Sequence, residues 1–352
     1  MQNKVKNLVI FYNPACLEHN ISGHAESPER VTRAMEMLDT AGAWSIADLQ
    51  EHPPAPESAI DSVHDRTYRH KVKELCRQGI NRIGNSTPVC RKSYHAALVS
   101  AGGALAATGA VMSGRYRRAL AMIRPPGHHA KKDLAMGFCI FNNAALAATH
   151  ARSHYGLDRI LVIDWDAHHG NGVEHIFYKD PGVLYFSVHR DYAYPVTGWA
   201  EKVGEGPGKG YNINVPLPLK SGDADYREVW NRILVPVAAA FKPQLVVVCA
   251  GFDAHTGDPL GGMNVTDNGF SWLFREVAGI SEKYCGGKIV ATLEGGYKPG
   301  ILGRNLVELV NVWSGRKKGE EIIKGRPAQK TLQVVDNVIR AHSAYWGCWN
   351  TR

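Results

Sequence analysis

The chain has 352 residues, 44% of them hydrophobic, with 41 basic and 33 acidic side chains. That length and apolar content exclude a disordered chain and suit one large α/β domain or two modest ones. The excess of eight positive charges is spread along the sequence rather than gathered in a tail. It reads as a solvated mixed-charge surface, and no direct nucleic-acid partner is expected.

Taken in chain order, the amino terminus leads into an apolar run at 8–12 without a long apolar core or a small-residue cleavage site, so no leader is expected. No later stretch reads as a membrane span. Short Val/Ile/Leu-rich runs at 8–12, 119–123, 159–163, 183–188, 244–249 and 288–293 predict buried strands. They lack polar alternation, as strands of a parallel sheet covered on both faces do. Helical periodicity at 29–38, 94–112, 143–154, 226–241, 269–284 and 301–312 fills the gaps, which predicts a doubly wound α/β fold. No repeat, low-complexity block or linker divides the chain. The basic stretch 316–326 reads as surface, and 316–352 as an extension beyond a core of about 8–315. Cys16, Cys76, Cys90, Cys139, Cys249, Cys285 and Cys348 are odd in number and scattered, which reads as reduced thiols in a cytosolic or nuclear protein.

In such sheets ligands bind beyond the carboxyl ends of the strands, and five polar clusters fall there. They are Arg124 to His129, Asp164 to Gly172, His189 to Tyr194, Gly251 to His255 and Glu294 to Tyr297. Asp166 and His168, two residues apart on an extended segment, project to one side, and Asp253 closes a three-ligand set. Oxygen and nitrogen donors with a fourth position free for water describe a catalytic zinc. The bland alternative is that Asp164-Trp165-Asp166-Ala167-His168 caps a helix starting near Gly172. Zinc lowers the pKa of water and polarises a carbonyl, and amide hydrolysis still needs a base and an acid. His128 and His129 can supply both. Asp164 is placed to hold one imidazole in its tautomer, and Tyr297 to donate to a developing oxyanion.

These motifs resemble the histone deacetylase family, whose arginase/deacetylase fold is a three-layer α/β/α domain around a mostly parallel eight-stranded sheet. The resemblance runs from His19-Asn20-Ile21-Ser22-Gly23-His24-Ala25-Glu26-Ser27-Pro28-Glu29-Arg30 through Gly137-Phe138-Cys139 to Tyr297. Asn171 and the Asp-Trp-Asp wording are similar to the class II branch and its bacterial deacetylase-like amidohydrolases. It implies that His129 is the general base and acid, with Asn171 supporting it and His128 an electrostatic partner backed by Asp164. Phe138 and Tyr194 would wall an acyl-lysine tunnel, with Gly137 beside them, Ser86 on the rim and Arg30 in an inner channel. Tyr194 departs from the usual Phe, and Ala25 from a common Pro. Structural potassium is implied at Asp164 and Ser187, and near Phe177 and Tyr211, as is inhibition by hydroxamates.

Leu260 stands where the polyamine-selective branch carries a Glu gatekeeper, which tilts the expected substrate towards N-acetyl-lysine in proteins or peptides over acetylpolyamines or other small acetylated amines. His255 is either a rim residue or a bystander. A two-manganese ureohydrolase on the same fold would need aspartates where Gly170 and His255 stand. An inert acyl-lysine-docking module would have lost ligands that this chain keeps. The sequence leaves the oligomeric state open, homo-oligomers included.

Overall fold

The computed structural model describes residues 6–84 and 86–349. Residues 1–5 and 350–352, which the single-domain reading 1–352 included, lie outside the described residues. The strands are β1 (Leu8–Tyr12), β2 (Asp48–Gln50), β3 (Arg82–Ile83), β4 (Thr87–Pro88), β5 (Arg118–Met122), β6 (Ile160–Asp164), β7 (Val183–Arg190), β8 (Asn212–Leu217), β9 (Leu245–Ala250) and β10 (Ile289–Leu293). Eight of them form one sheet in the order β2-β1-β5-β10-β9-β6-β7-β8, and every pairing in it is parallel. β3 and β4 make a separate antiparallel hairpin.

All residues of β5, β6, β9 and β10 are buried, because helices cover both faces and leave no side on which a polar residue meets water. Local sequence sets where those helices start and stop. Asn142 accepts from the Ala145 N–H at 2.9 Å and caps the helix Asn143–Tyr155, which ends on the left-handed Gly156.

The predicted strands stand within a residue or two, but β2 and β8 escaped the sequence reading. The predicted helix 226–241 is three joined pieces, Asp223–Val229, a π-helical turn Trp230–Leu234 and Val235–Phe241. One expectation is corrected outright. The helix Ser93–Met112 is long and apolar enough by composition to cross a membrane. Its apolarity belongs to packing instead, since it is mostly buried against β5, β10 and the helix Asn143–Tyr155. Beyond residue 315 the chain continues the fold. Thr331, Val335, Val338 and His342 of the helix Gln329–His342 are buried, and that helix lies on β8 and the helix Asp223–Val229.

Parallel strands bring the loops after β5, β6, β7, β9 and β10 to one end of the sheet. The five polar clusters are therefore neighbours although up to 170 residues apart in the chain, from Arg124 at the end of β5 to Glu294 at the end of β10 (294 − 124 = 170).

Candidate active site and metal centre

The loop after β6 carries Asp166 and His168, and the loop after β9, the neighbouring strand, carries Asp253. His168 Nδ1 lies 3.1 Å from Asp166 Oδ1 and 2.9 Å from Asp253 Oδ2. The three donor atoms are all within 4.8 Å of one another. Backbone N–H groups aim the carboxylates, with Ala167 donating to Asp253 Oδ1 at 2.8 Å and Gly295 to Asp166 Oδ2 at 2.8 Å. Position 295 must be glycine, because a Cβ there would come within 2.5 Å of both Asp166 Oδ2 and Asp253 Oδ2.

The electrostatics call for a cation. Burial and the Asp166 carboxylate push Asp253 up to about 7. Burial disfavours charge on His168, yet the two aspartates outweigh it and raise it to about 10. Two carboxylates and one imidazole converging on one point fit a divalent ion of the zinc type. The segment does lead into a helix, Asn171–Phe177, but neither Asp166 nor His168 caps it.

A second His/Cys/Glu group, His128, Cys139 and Glu294, also converges, and its chemistry argues against a metal. Glu294 is occupied by the N–H groups of Gly127 (2.7 Å) and His128 (3.1 Å) and by the Thr292 hydroxyl (3.0 Å). Burial, with Glu294 adding, pushes the Cys139 thiol far above its usual range, so no thiolate is on offer. Space beside Gly170 is filled by the Asp164 carboxylate and the Tyr185 hydroxyl, which leaves no room for a second ion's aspartate.

The loop after β5 brings in the histidine pair. His128 Nδ1 lies 3.1 Å from Asp164 Oδ2, and His129 Nδ1 lies 2.8 Å from Asn171 Oδ1. Burial opposes a charge on His128, but Asp166 and Asp164 raise it to about 10. Burial, then the positive neighbours His128 and His168, drive His129 well below the usual imidazole range. The pair is thus split into one charged and one neutral imidazole. His129, His168, Tyr297, Phe138, Gly137, Tyr194, Ser86 and Leu260 line a cavity of about 200 Å³. A wider depression of about 660 Å³ around His64 and Arg152 holds neither the donor set nor an orphaned polar group.

Residues 24–313 match the histone deacetylase domain. The chain belongs to the histone deacetylase family. It is 41% identical to the Histone deacetylase-like amidohydrolase of Pseudomonas aeruginosa over 278 residues, covering 78% of this chain and 73% of that protein. It is 36% identical to the Polyamine deacetylase HDAC10 of Mus musculus over 91% of this chain, but spans only 49% of that longer protein. The solved HDA15 HD domain superposes with a TM-score of 0.90 at 31% identity, covering 99% of this chain and 97% of that one. Deacetylase membership accounts for the one-sided placement of the clusters and makes the chain an amide hydrolase.

The remaining sequence-derived positions of this deacetylase separate into four sets. Phe138, Tyr194, Gly137, Ser86 and Leu260 meet at the cavity. Arg30 lies beneath it, fully buried, with Nε donating to the Gly296 carbonyl at 2.6 Å and its guanidinium 5.2 Å from the Tyr297 ring centre. His255 is not among the cavity-lining residues: Gly257 N–H donates to its Nδ1 at 3.0 Å, Nε2 meets Asp267 at 3.1 Å, and Phe270 stacks on the ring. Of the potassium residues, Asp164 and Ser187 are register partners on β6 and β7, and the Ser187 hydroxyl bonds His189 Nδ1 at 2.8 Å. The Phe177 and Tyr211 carbonyls accept from Asp180 and Tyr185 N–H groups, each at 2.9 Å.

Sequence reasoning missed the supports under the site. Glu294 orients the His128 backbone, and Tyr185 donates to Asp164 at 3.0 Å. Fully buried Glu26 pairs with Arg30 and Arg124, each at 2.9 Å. His24 stands edge-on to Phe138 at 4.5 Å between ring centres. Asp258 accepts the Tyr297 N–H at 2.6 Å. The presence of Glu26 and Glu294 inside the site motifs was the only signal.

Gly137 makes the tunnel wall possible. Its φ is +51°, and a Cβ would lie 2.2 Å from His129 Cδ2 and 2.9 Å from Tyr194 Cε1. Gly137→Ala is expected to destabilise the protein by about 1–3 kcal/mol and to lower turnover by displacing His129. Denaturant unfolding and steady-state kinetics on the same preparation check both effects.

Proposed function

We propose that this deacetylase hydrolyses the amide of N-acyl-lysine in proteins or peptides, releasing acetate, with zinc held by Asp166, His168 and Asp253. The observation that carries the reading is the placement of His129, whose Nδ1 lies 2.8 Å from Asn171 Oδ1 and whose ring lines the same cavity as His168 of the donor set. Zinc, when bound, supplies a Lewis acid that acidifies water and polarises the amide carbonyl.

The chain's own groups do the rest. With Nδ1–H donating to the Asn171 amide oxygen, Nε2 of His129 is the free basic nitrogen and takes the proton of the attacking water. His128 stays charged beside Asp164 and stabilises negative charge as it builds. His129 then returns its proton to the departing amine. Tyr297 lines the cavity, and its phenol is held far above its usual range by burial and by Asp253 and Asp166, so it keeps its proton and donates to the oxyanion. Phe138 and Tyr194 exclude water along the slender chain. The 200 Å³ cavity is below the roughly 300–1,000 Å³ of sites for drug-sized ligands, which suits one acylated alkyl chain. Potassium at Asp164 and Ser187, and near Phe177 and Tyr211, belongs to the same proposal.

The similarity to a protein named for polyamine deacetylation supports a second reading, an acetylpolyamine substrate. Leu260, 39% exposed at the mouth, argues against it, because an ammonium needs a carboxylate partner there and Leu offers none. Comparing kcat/KM on an acetyl-lysine peptide and on N-acetylspermidine decides the matter, and a strong preference for spermidine would reverse the assignment.

Metal dependence is checked separately. Purified protein is expected to hold about one zinc per chain, to lose activity on chelation and to regain it with added zinc. A hydroxamate, which binds an open metal position, is expected to inhibit. Two equivalents of manganese, or indifference to both treatments, would contradict the site.

A further inference from the structure

Ser86 and Tyr194 come from segments 108 residues apart and meet at the cavity mouth, Oγ to Oη, at 2.9 Å. Ser86 Oγ also accepts from the Gly137 backbone N–H at 3.0 Å. The serine oxygen is therefore engaged on both sides. Two hydroxyl hydrogens are present and their mutual bond uses one, so a single O–H remains without an acceptor among the described residues. In the head-to-tail order Gly137 N–H to Ser86 to Tyr194, each hydroxyl accepts once and donates once, and successive bonds strengthen one another. That order leaves the spare hydrogen on the phenol. The Tyr194 ring stands edge-on to His129, with centres 5.2 Å apart at 89°. It is 38% exposed, which puts the hydroxyl where tunnel meets solvent.

A donor at that level needs an acceptor on whatever part of the ligand stays outside when the acyl group is bound. A peptide offers its main-chain carbonyls. An amine chain offers only N–H donors, and no Asp or Glu lines the cavity to receive them. We infer that Tyr194, oriented by Ser86, is a specificity-determining residue whose hydroxyl donates to a main-chain carbonyl of peptide-bound acyl-lysine. The inference rests on the deacylase reading of the same site.

The test compares two amides that share the reacting group. One is Nα-acetyl-Nε-acetyl-lysine methylamide, and the other is N-pentylacetamide, which lacks the main chain. The ratio of their kcat/KM values is measured for wild type and for Tyr194→Phe, which keeps the ring. Loss of one neutral hydrogen bond is expected to lower that ratio about fivefold, with the change in the KM of the lysine derivative rather than in kcat. Ser86→Ala is expected to lower the ratio in the same direction, and the double variant to go no lower than Tyr194→Phe. An unchanged ratio in Tyr194→Phe overturns the inference, as does a ratio that falls only in Ser86→Ala, which would put the donor on the serine. If wild type hydrolyses neither amide, the deacylase reading itself is wrong and the inference goes with it.

Discussion

Replacing His129 by Ala is expected to lower kcat/KM by about 10²–10⁴-fold, the usual contribution of a positioned base, while bound metal stays at the wild-type level. The second half follows from geometry, since His129 is not among the three converging donors. The first half follows from how the two imidazoles are held. His129 is kept neutral by burial and by its charged neighbours, and the Asn171 amide oxygen accepts its Nδ1–H, leaving one nitrogen to accept a proton. His128 cannot take over, because the Asp166 and Asp164 carboxylates hold it protonated near 10 against the cost of burial, and a charged imidazole accepts nothing. His128→Ala should also slow the reaction, through lost charge stabilisation. Steady-state kinetics with metal analysis on the same samples separates the two roles. A His129→Ala protein that retained most of its turnover would move the base to His128.

Most of the sheet could be read because its strands are unbroken apolar runs, as a parallel strand buried on both faces requires. The two that could not be read sit at or near an edge. β2 is Asp48-Leu49-Gln50, three residues with no run to detect. β8 is Asn212-Ile213-Asn214-Val215-Pro216-Leu217, where two amides and a proline hide the strand. Pro216 is tolerated because β8 is the outer strand and has no further ladder to donate to. Asn212 and Asn214 are tolerated because Glu174 accepts from both, at 2.9 and 2.7 Å. The first compensation is visible only once the strand order is known, and the second only once the helix Asn171–Phe177 has been placed.

The donor set could be read for a different reason. Asp166 and His168 are separated by one residue, so their shared direction is a local fact, and Asp253 sits at an equivalent strand end. What supports them is non-local. Glu26 reaches Arg124 across 98 residues, and Glu294 reaches the Gly127 N–H across 167. A buried carboxylate needs such partners, but the sequence around it does not name them. The link between Ser86 and Tyr194 is of the same kind. Resemblance placed both residues at the tunnel, and only the folded chain shows that their hydroxyls are joined.

Tyr297→Phe carries the other large expected effect, a fall in kcat of about 10²–10³-fold with a much smaller change in KM. The backbone of Tyr297 is fixed by Asp258, its ring meets Phe138 edge-on at 6.0 Å, and the Arg30 guanidinium lies against its face. Removing one oxygen leaves all three restraints in place, so the ring should not move. The hydroxyl makes no hydrogen bond among the described residues, although it faces a cavity that also contains His129 and His168. A donor that no neighbouring residue claims is free to turn to charge that appears only during reaction, and an interaction confined to the transition state changes kcat rather than ground-state affinity. The same logic states the contrary result. If the variant kept its kcat and lost affinity instead, Tyr297 would be binding the ground-state carbonyl, and stabilisation of the oxyanion would fall to the charged His128 and the metal.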